Sequence, residues 1–347
     1  MNLINRKSAL EKDALHGNHL AGVIILLGGC LLLLISIIAS IHFGASDLNY
    51  ITIWKAIFSF DNENSSHVIV RELRLPRAIA AVVVGASLAV SGSIMQGMTR
   101  NPLGDPSIMG VTAGSSLFIA IAFAFIPTIS YLGLITYSLI GAGLGAILVF
   151  GITSLSKGGI TPVKLALAGS AITTLLSSIS TTLGIRFNVS KDISYWYAGG
   201  VAGVQSPQLT YIIPLVLVGL ILAILLSRSI SILSLGEEIA KGLGQNTMII
   251  KLLGTVAVLL LTGAAVSIAG MIGFIGLVIP HITRFLVGVD YRWIIPCSGI
   301  LGGVLLLVAD IVGRMINAPF ETPVGAVTAI IGVPFFLYLA RKEGRDL

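Results

Sequence analysis

Apolar residues in this chain run in long unbroken stretches separated by short polar breaks. Divided into runs of about 20 residues, the length needed to cross a bilayer as a helix, the sequence yields ten spans: 21–41, 77–96, 107–126, 132–154, 163–185, 209–227, 249–270, 272–287, 294–315 and 324–340. The pattern predicts an all-α polytopic membrane protein, because only helices satisfy their own backbone hydrogen bonds inside lipid. The first span has a basic flank, Arg6, Lys7 and Lys12. Nine further spans follow it, so it reads as a first helix and not as a secretory signal.

One polar break has internal order. SLGEEIAKGLG (234–244) lies between the sixth and seventh spans and predicts a short amphipathic helix. Ser234 and Glu237 have capping-box spacing, Glu237 and Glu238 suit the positive end of a helix, and Gly244 suits its stop. Ile239 and Leu243, four apart, share one face. A merely solvated loop needs neither caps nor an apolar stripe; a docking surface for a partner accounts for both.

The spans also repeat. GASLAVSG (85–92) and GAAVSIAG (263–270) match at an offset of 178, and Pro102/Pro280 and Gly110-Val111/Gly288-Val289 recur at the same offset. The copies begin five spans apart, an odd number, so they would cross the membrane in opposite directions. Residues 77–185 and 249–340 are therefore expected to be related halves in an inverted repeat, an arrangement frequent in transporters.

Composition confirms the solvent. Charged residues make up 10% of the chain, against about 25% in soluble domains, and the mean hydropathy is +1.00. The 40 glycines suit helices whose backbones approach closely. With the amino terminus inside, the cytoplasmic segments collect Arg6, Lys7, Lys12, Arg100, Lys157, Lys164, Arg228, Lys241, Lys251, Arg284, Arg292, Arg341, Lys342 and Arg345, fourteen of the 21 basic residues. Both termini are then cytoplasmic in a multi-pass protein of the cell membrane. The net charge of +6 is a topology signal, and no motif points to nucleic acid. Arg71, Arg74 and Arg77 violate the charge rule together, just before the second span.

Enzymatic chemistry is not expected. The chain has no Walker A sequence and no H-E-x-x-H, so no catalytic, metal or nucleotide site is assigned. Cys30 and Cys297 lie far apart and within or beside apolar spans, and read as packed thiols. His281 alone among the five histidines sits in an inner span, where a structural or gating role is expected, with a ligand role the alternative.

Several stretches then converge on one family: RELRLPRAIAAVVVGASLAVSGSIMQGMTRNPLGDPSIMGVTAGSS (71–116), YWYAGGVAGV (195–204), LGEEIAKGLG (235–244), AGMIGFIGLVIPHITRFLVGVDYRWIIPCSGILGG (269–303), LVADIVGRM (307–315) and ETPVGAVTAIIGVPFF (321–336). In these the chain resembles the FecCD-like permease subunits of type II ABC importers, which take up ferric siderophores, haem and vitamin B12. The resemblance implies one transmembrane domain over 1–347 with ten spans, and a pathway between this subunit and a second permease, either identical or homologous. It also implies two cytoplasmic ATPase subunits, which hold ATP and Mg while this chain binds no cofactor, and an extracytoplasmic binding protein. Within the cytoplasmic segment 228–248, the resemblance makes Leu235, Gly236, Glu237, Glu238, Ile239, Ala240, Lys241, Gly242, Leu243 and Gly244 the element that couples to the ATPases. Arg74, Arg77 and Arg314 match the arginines that receive acidic knobs of the binding protein. Asp310, four residues before Arg314, would orient it. The family's cytoplasmic gate loop would fall near GGITPVK (158–164), where no gate residue aligns.

The implied cargo is a ferric siderophore, with haem or cobalamin the alternative. An ion-coupled secondary transporter would share the repeat but would ordinarily carry ionisable groups near mid-membrane; the acids here cluster at span ends and in loops. A membrane scaffold would leave the polar island and the outer arginines without a joint purpose.

Overall fold

The computed structural model describes residues 19–44, 48–156, 162–317 and 320–343. Arg6, Lys7, Lys12, Lys157, Arg345 and most of the gate-loop stretch 158–164 lie outside them. Every described element is helical. In chain order these are α1 (His19–His42), α2 (Tyr50–Phe58), α3 (Ser65–Thr99), α4 (Val111–Phe125), α5 (Tyr131–Ser154), α6 (Pro162–Arg186), α7 (Ser190–Ala198), α8 (Ser206–Leu235), α9 (Glu237–Gly242), α10 (Thr247–Ala269), α11 (Ile275–Val287), α12 (Tyr291–Met315) and α13 (Val324–Glu343). Seven are long and apolar enough to cross a membrane, and three shorter apolar helices, α4, α11 and α13, complete the set of ten.

Helix α3 is the axis of the bundle, buried over most of its length and flanked by α12, α10, α8 and α11. Its close neighbours are admitted by glycine. A Cβ on Gly85 would strike the carbonyl of Gly302 on α12, and one on Gly92 would strike Gly276 on α11. The α4–α5 crossing repeats the device at Gly114 and Gly141. Lipid gives no hydrophobic drive between helices, so such backbone proximity supplies the packing. Serines on α3 stay inside at little cost, because Ser87, Ser91 and Ser93 donate to the carbonyls of Val83, Leu88 and Ala89 in the preceding turn. Helix α1 packs along α12 and turns most of its surface outward.

Four boundaries differ from the sequence reading. The third span begins at Val111, because Pro106–Met109 form a 3-10 turn. The eighth begins at Ile275, after an unwound stretch 270–274 in which Gly270 (φ 65°) and Phe274 (φ 69°) both take left-handed backbone. The sixth extends to Leu235, so residues 228–235 continue the helix of that span. Helix α3 starts twelve residues before the second span, at Ser65, and widens into a π-turn at Ile69–Arg74.

Candidate functional site

Two polar constellations cap opposite ends of α3. Arg77 stands in its first half and Arg100 ends it, 23 residues on, or about 35 Å at 1.5 Å per residue. The two constellations therefore lie on opposite membrane faces.

At the Arg100 end sits α9. Gly236, with φ 141° and ψ 145°, breaks the path between α8 and α9, and it serves as the N-cap without a side-chain cap bond. The expected capping box is absent. Ser234 is still inside α8, where its hydroxyl donates to Ser231 O at 2.7 Å, and Glu237 is drawn elsewhere. Its carboxylate meets Lys251 Nζ at 2.5 Å and Lys241 Nζ at 3.1 Å, and accepts from Thr247 Oγ1 at 3.3 Å. The hydrogen bond from Lys251 first, then that from Lys241, pulls the Glu237 carboxyl down to about 2. This clasp ties α9 to the start of α10.

The far end of α9 closes as expected. Gly244 has φ +80°, its N–H donates to Lys241 O at 2.9 Å, and Gln245 N–H donates to Ala240 O at 2.9 Å. This is a Schellman stop, which needs the left-handed residue that glycine supplies. Ala240 is fully buried against the bundle, whereas Ile239 and Leu243 are 51% and 65% exposed, with Leu235 and Met248 beside them also exposed. The predicted apolar stripe is thus an outward face on a short helix fixed at both ends. Glu238, Lys241 and Gly242 are exposed around it.

At the other end, Asp310 is fully buried and serves two arginines. Arg77 donates from Nε and Nη2 to its carboxylate at 2.8–3.1 Å and from Nη1 to Glu321 Oε1 at 2.6 Å. Arg314 Nη2 lies 3.1 Å from Asp310 Oδ2, the expected i,i+4 pair. Its Nη1 donates to the carbonyls of Ser40 and Phe43, and Arg74 Nη1 donates to those of Ile41 and His42. Two of the three arginines therefore satisfy the orphan carbonyls at the end of α1 and complement its negative pole.

The three arginines expected to receive the binding protein's acidic knobs are largely buried in this chain. Arg74 is 7% exposed, and the side chains of Arg77 and Arg314 are 11% and 8% exposed. The π-turn before Arg77 and the packing of α1 over the site place them inside. Arg71 alone of the upstream cluster is exposed, resting over the ring of Phe60 at 4.4 Å. Sequence reasoning missed Glu321, Lys251 and Thr247. Glu321 lies within a family-matching stretch, yet nothing in its spacing ties it to Arg77.

Between the two ends lie cavities. One of 340 Å³ opens beside Arg77 and Glu321, walled by Trp196 and the glycine-rich stretch 199–203. Another, of 540 Å³, is lined by Asn101, Asp105, Thr262 and the unwound segment 271–274. Irregular backbone at membrane depth is tolerated where it lines a cavity, as here. Phe274 is seated in the notch left by Gly332 on α13, where a Cβ would meet its ring. His281 makes an edge contact with Phe335 of α13 at 5.6 Å between ring centres.

A chain with this helical bundle, a clasped apolar helix at one face and buried arginines at the other has the form of a transport subunit. Residues 32–342 match the FecCD transport family, and the chain belongs to it. It is 58% identical over 343 residues to the iron(3+)-hydroxamate import system permease protein FhuB of Bacillus subtilis (strain 168), covering 99% of this chain and 89% of that one. It is 46% identical to the iron-uptake system permease protein FeuB of the same organism, covering 93% and 97%. A solved inward-facing structure assigned to the metal-chelate type of ABC transporter superposes with a TM-score of 0.79 at 31% identity, covering 92% of this chain and 99% of that chain. The protein is a multi-pass permease subunit of an ABC importer, and not an enzyme.

Proposed function

We propose that the chain moves ferric siderophores of the hydroxamate type across the cytoplasmic membrane, paired with a second permease subunit. Two ATP-binding subunits dock on α9, and an extracytoplasmic binding protein delivers cargo at the arginine face. The observation that carries the reading is the similarity over 99% of the chain to a permease named for iron(3+)-hydroxamate import.

The geometry supports the division of labour. Helix α9 offers Ile239 and Leu243 outward while the Glu237 clasp ties it to α10, the Gly244 stop fixes its end and it packs beside α8, so a push on α9 is passed to membrane helices and is not absorbed by a loop. ATP and Mg belong to the docked subunits. At the opposite face Arg77 is the arginine positioned to receive an acidic partner, because one of its two acids, Glu321, is 47% exposed and exchangeable. Arg74 and Arg314 hold the platform. Residues 77–185 and 249–340 are read as related halves of one domain, with both termini on the α9 side, which is cytoplasmic.

Uptake of radioiron by cells with and without the gene, supplied as a ferric hydroxamate, as haem iron or alongside labelled cobalamin, tests the cargo. Loss of hydroxamate uptake alone is expected. Unchanged hydroxamate uptake with loss of either other cargo would reassign it. Co-purification of an ATP-binding subunit, lost on changing Ile239 and Leu243 to serine, tests the partner.

A further inference from the structure

We infer that the pocket bounded by the ends of α3, α8, α11 and α12, on the face that bears α9, binds a phosphate-bearing anion, the headgroup of an anionic phospholipid. The pocket measures 940 Å³ and brings Arg100, Arg228, Arg284 and Arg292 together from four separate elements. Its one carboxylate, Asp290, is already committed. It accepts from Arg292 Nε at 2.8 and 3.1 Å, from Arg292 N–H at 3.0 Å and from Ser231 Oγ at 3.0 Å. Arg292 and Asp290 therefore cancel.

The other three charges stand. Among the described residues, Arg284 donates only to neutral acceptors, Gln96 Oε1 at 3.0 Å and Tyr291 OH at 3.3 Å. Arg100 and Arg228 are exposed and make no hydrogen bond or ion pair among the described residues. Scattered arginines on one membrane face require only the charge rule for their explanation. Three uncompensated guanidiniums lining a single concavity make it a positive site suited to an anion, and the planar fork of arginine matches phosphate oxygens two at a time.

Position favours a lipid as the source. Helix α3 ends at Thr99 and α12 begins at Tyr291, so Arg100 and Arg292 stand at the ends of apolar helices, the position at which basic pockets between helices take acidic headgroups. Trp293, bonded to His19 Nδ1 at 3.1 Å, marks the same interface. Ile232, Leu235 and Val289 give the pocket an apolar edge for the glycerol backbone. Arg100 also holds strained left-handed backbone (φ 51°), and its guanidinium lies 3.7 Å from where a Cβ on Gly236 would stand. The bound anion would thus sit against the break that precedes α9.

The test is native mass spectrometry of the full-length chain in neutral detergent, with phosphatidylglycerol, phosphatidylcholine and inorganic phosphate as separate probes. The Arg100→Gln/Arg228→Gln variant should retain phosphatidylglycerol about tenfold more weakly, the equivalent of losing a charge-assisted hydrogen bond, with phosphatidylcholine unchanged. If inorganic phosphate binds with the same loss in the variant and without lipid preference, the site stands with a soluble source. Equal phosphatidylglycerol retention in wild type and variant overturns it. So does unchanged lipid retention accompanied by loss of a co-purifying ATP-binding subunit, which assigns the arginines to a protein interface. Arg228→Gln alone, on an exposed position, repeats the test should the double variant fold poorly.

Discussion

Arg77 and Asp310 stand 233 positions apart and meet in three hydrogen bonds, the shortest 2.8 Å from Nη2 to Oδ1. Asp310 is fully buried and also faces Arg314 at 3.1 Å. Removing its charge leaves Arg77 with Glu321 as its one acid and Arg314 with neutral acceptors, and both guanidiniums have little access to water. Asp310→Asn should therefore destabilise the chain by about 3–5 kcal/mol, whereas Glu321→Gln, at a half-exposed acid, should lose only about 0.2–1 kcal/mol. Thermal unfolding of both variants in detergent checks this; equal losses would mean that Asp310 is not the centre of the network.

The Glu237 clasp has a pH signature. Its carboxyl is held at about 2 against a usual 4.5, chiefly by Lys251 and next by Lys241. A depressed carboxyl stabilises the fold fully above its unpartnered value, and the contribution drains away as pH falls through the folded one. The clasp should be complete at neutral pH and weaken between about 4.5 and 2. Lys251→Met should raise the Glu237 midpoint toward 4.5, read by isotope-edited infrared titration of the carboxylate band. An unmoved midpoint would assign the depression to another cause.

Glycine identity should matter by position and not by number. Gly92→Ala drives a methyl into the backbone of Gly276 and should lose about 1–3 kcal/mol through overpacking. Gly143, also helical, has nothing within 4 Å of its absent Cβ, so Gly143→Ala should be close to neutral. Comparing the amounts of each variant recovered as monodisperse protein would expose any error in the α3–α11 approach.

Much of this was legible in the sequence, and the failures have a common cause. Apolar runs report lipid contact and burial, so all ten spans correspond to apolar helices. They do not report where a helix stops, so α8 runs eight residues beyond its span, to Leu235, and takes Ser234 with it. A helical serine bonds backward to its own turn, which is why the capping box never formed. The apolar pair Ile239 and Leu243 was visible because periodicity alone sets it. The clasp was not, because Glu237 and Lys251 meet only after the chain turns at Gly244. Likewise, the pairing of Asp310 with Arg314 is local and was readable, whereas Arg77 reaches Asp310 and Glu321 only through the fold. The burial of Arg74 depends on α1 ending beside it, which no spacing encodes.

Two glycines of the polar island should behave differently. Gly244 holds φ +80°, whereas Gly242 is helical with open space around it. Gly244→Ala should lose about 1 kcal/mol in left-handed strain and loosen α9, while Gly242→Ala should leave the helix intact. Hydrogen exchange over residues 237–245 should quicken in the first variant only; quickening in both would show that α9 is no fixed element.

The arginine face sets the last test. Reversing Arg74 and Arg77 to glutamate cannot isolate docking, because Arg74 caps α1 and a glutamate at 77 would join Asp310 and Glu321 in a cluster of three acids. That double variant should fail to fold. Glu321→Gln acts on charge without breaking the buried pair, since Arg77 keeps Asp310, and it leaves one more net positive charge at the face proposed to meet the binding protein. Charges at an interface rim act chiefly on association rate and salt sensitivity. Association of the binding protein with the Glu321→Gln permease in nanodiscs should be faster than with wild type at about 0.01 M salt, where the Debye length is about 30 Å, and the gain should vanish near 1 M, where it is about 3 Å. A slower association at low salt would mean that Glu321 itself receives the partner, through a cation, and that the proposed acidic docking is wrong.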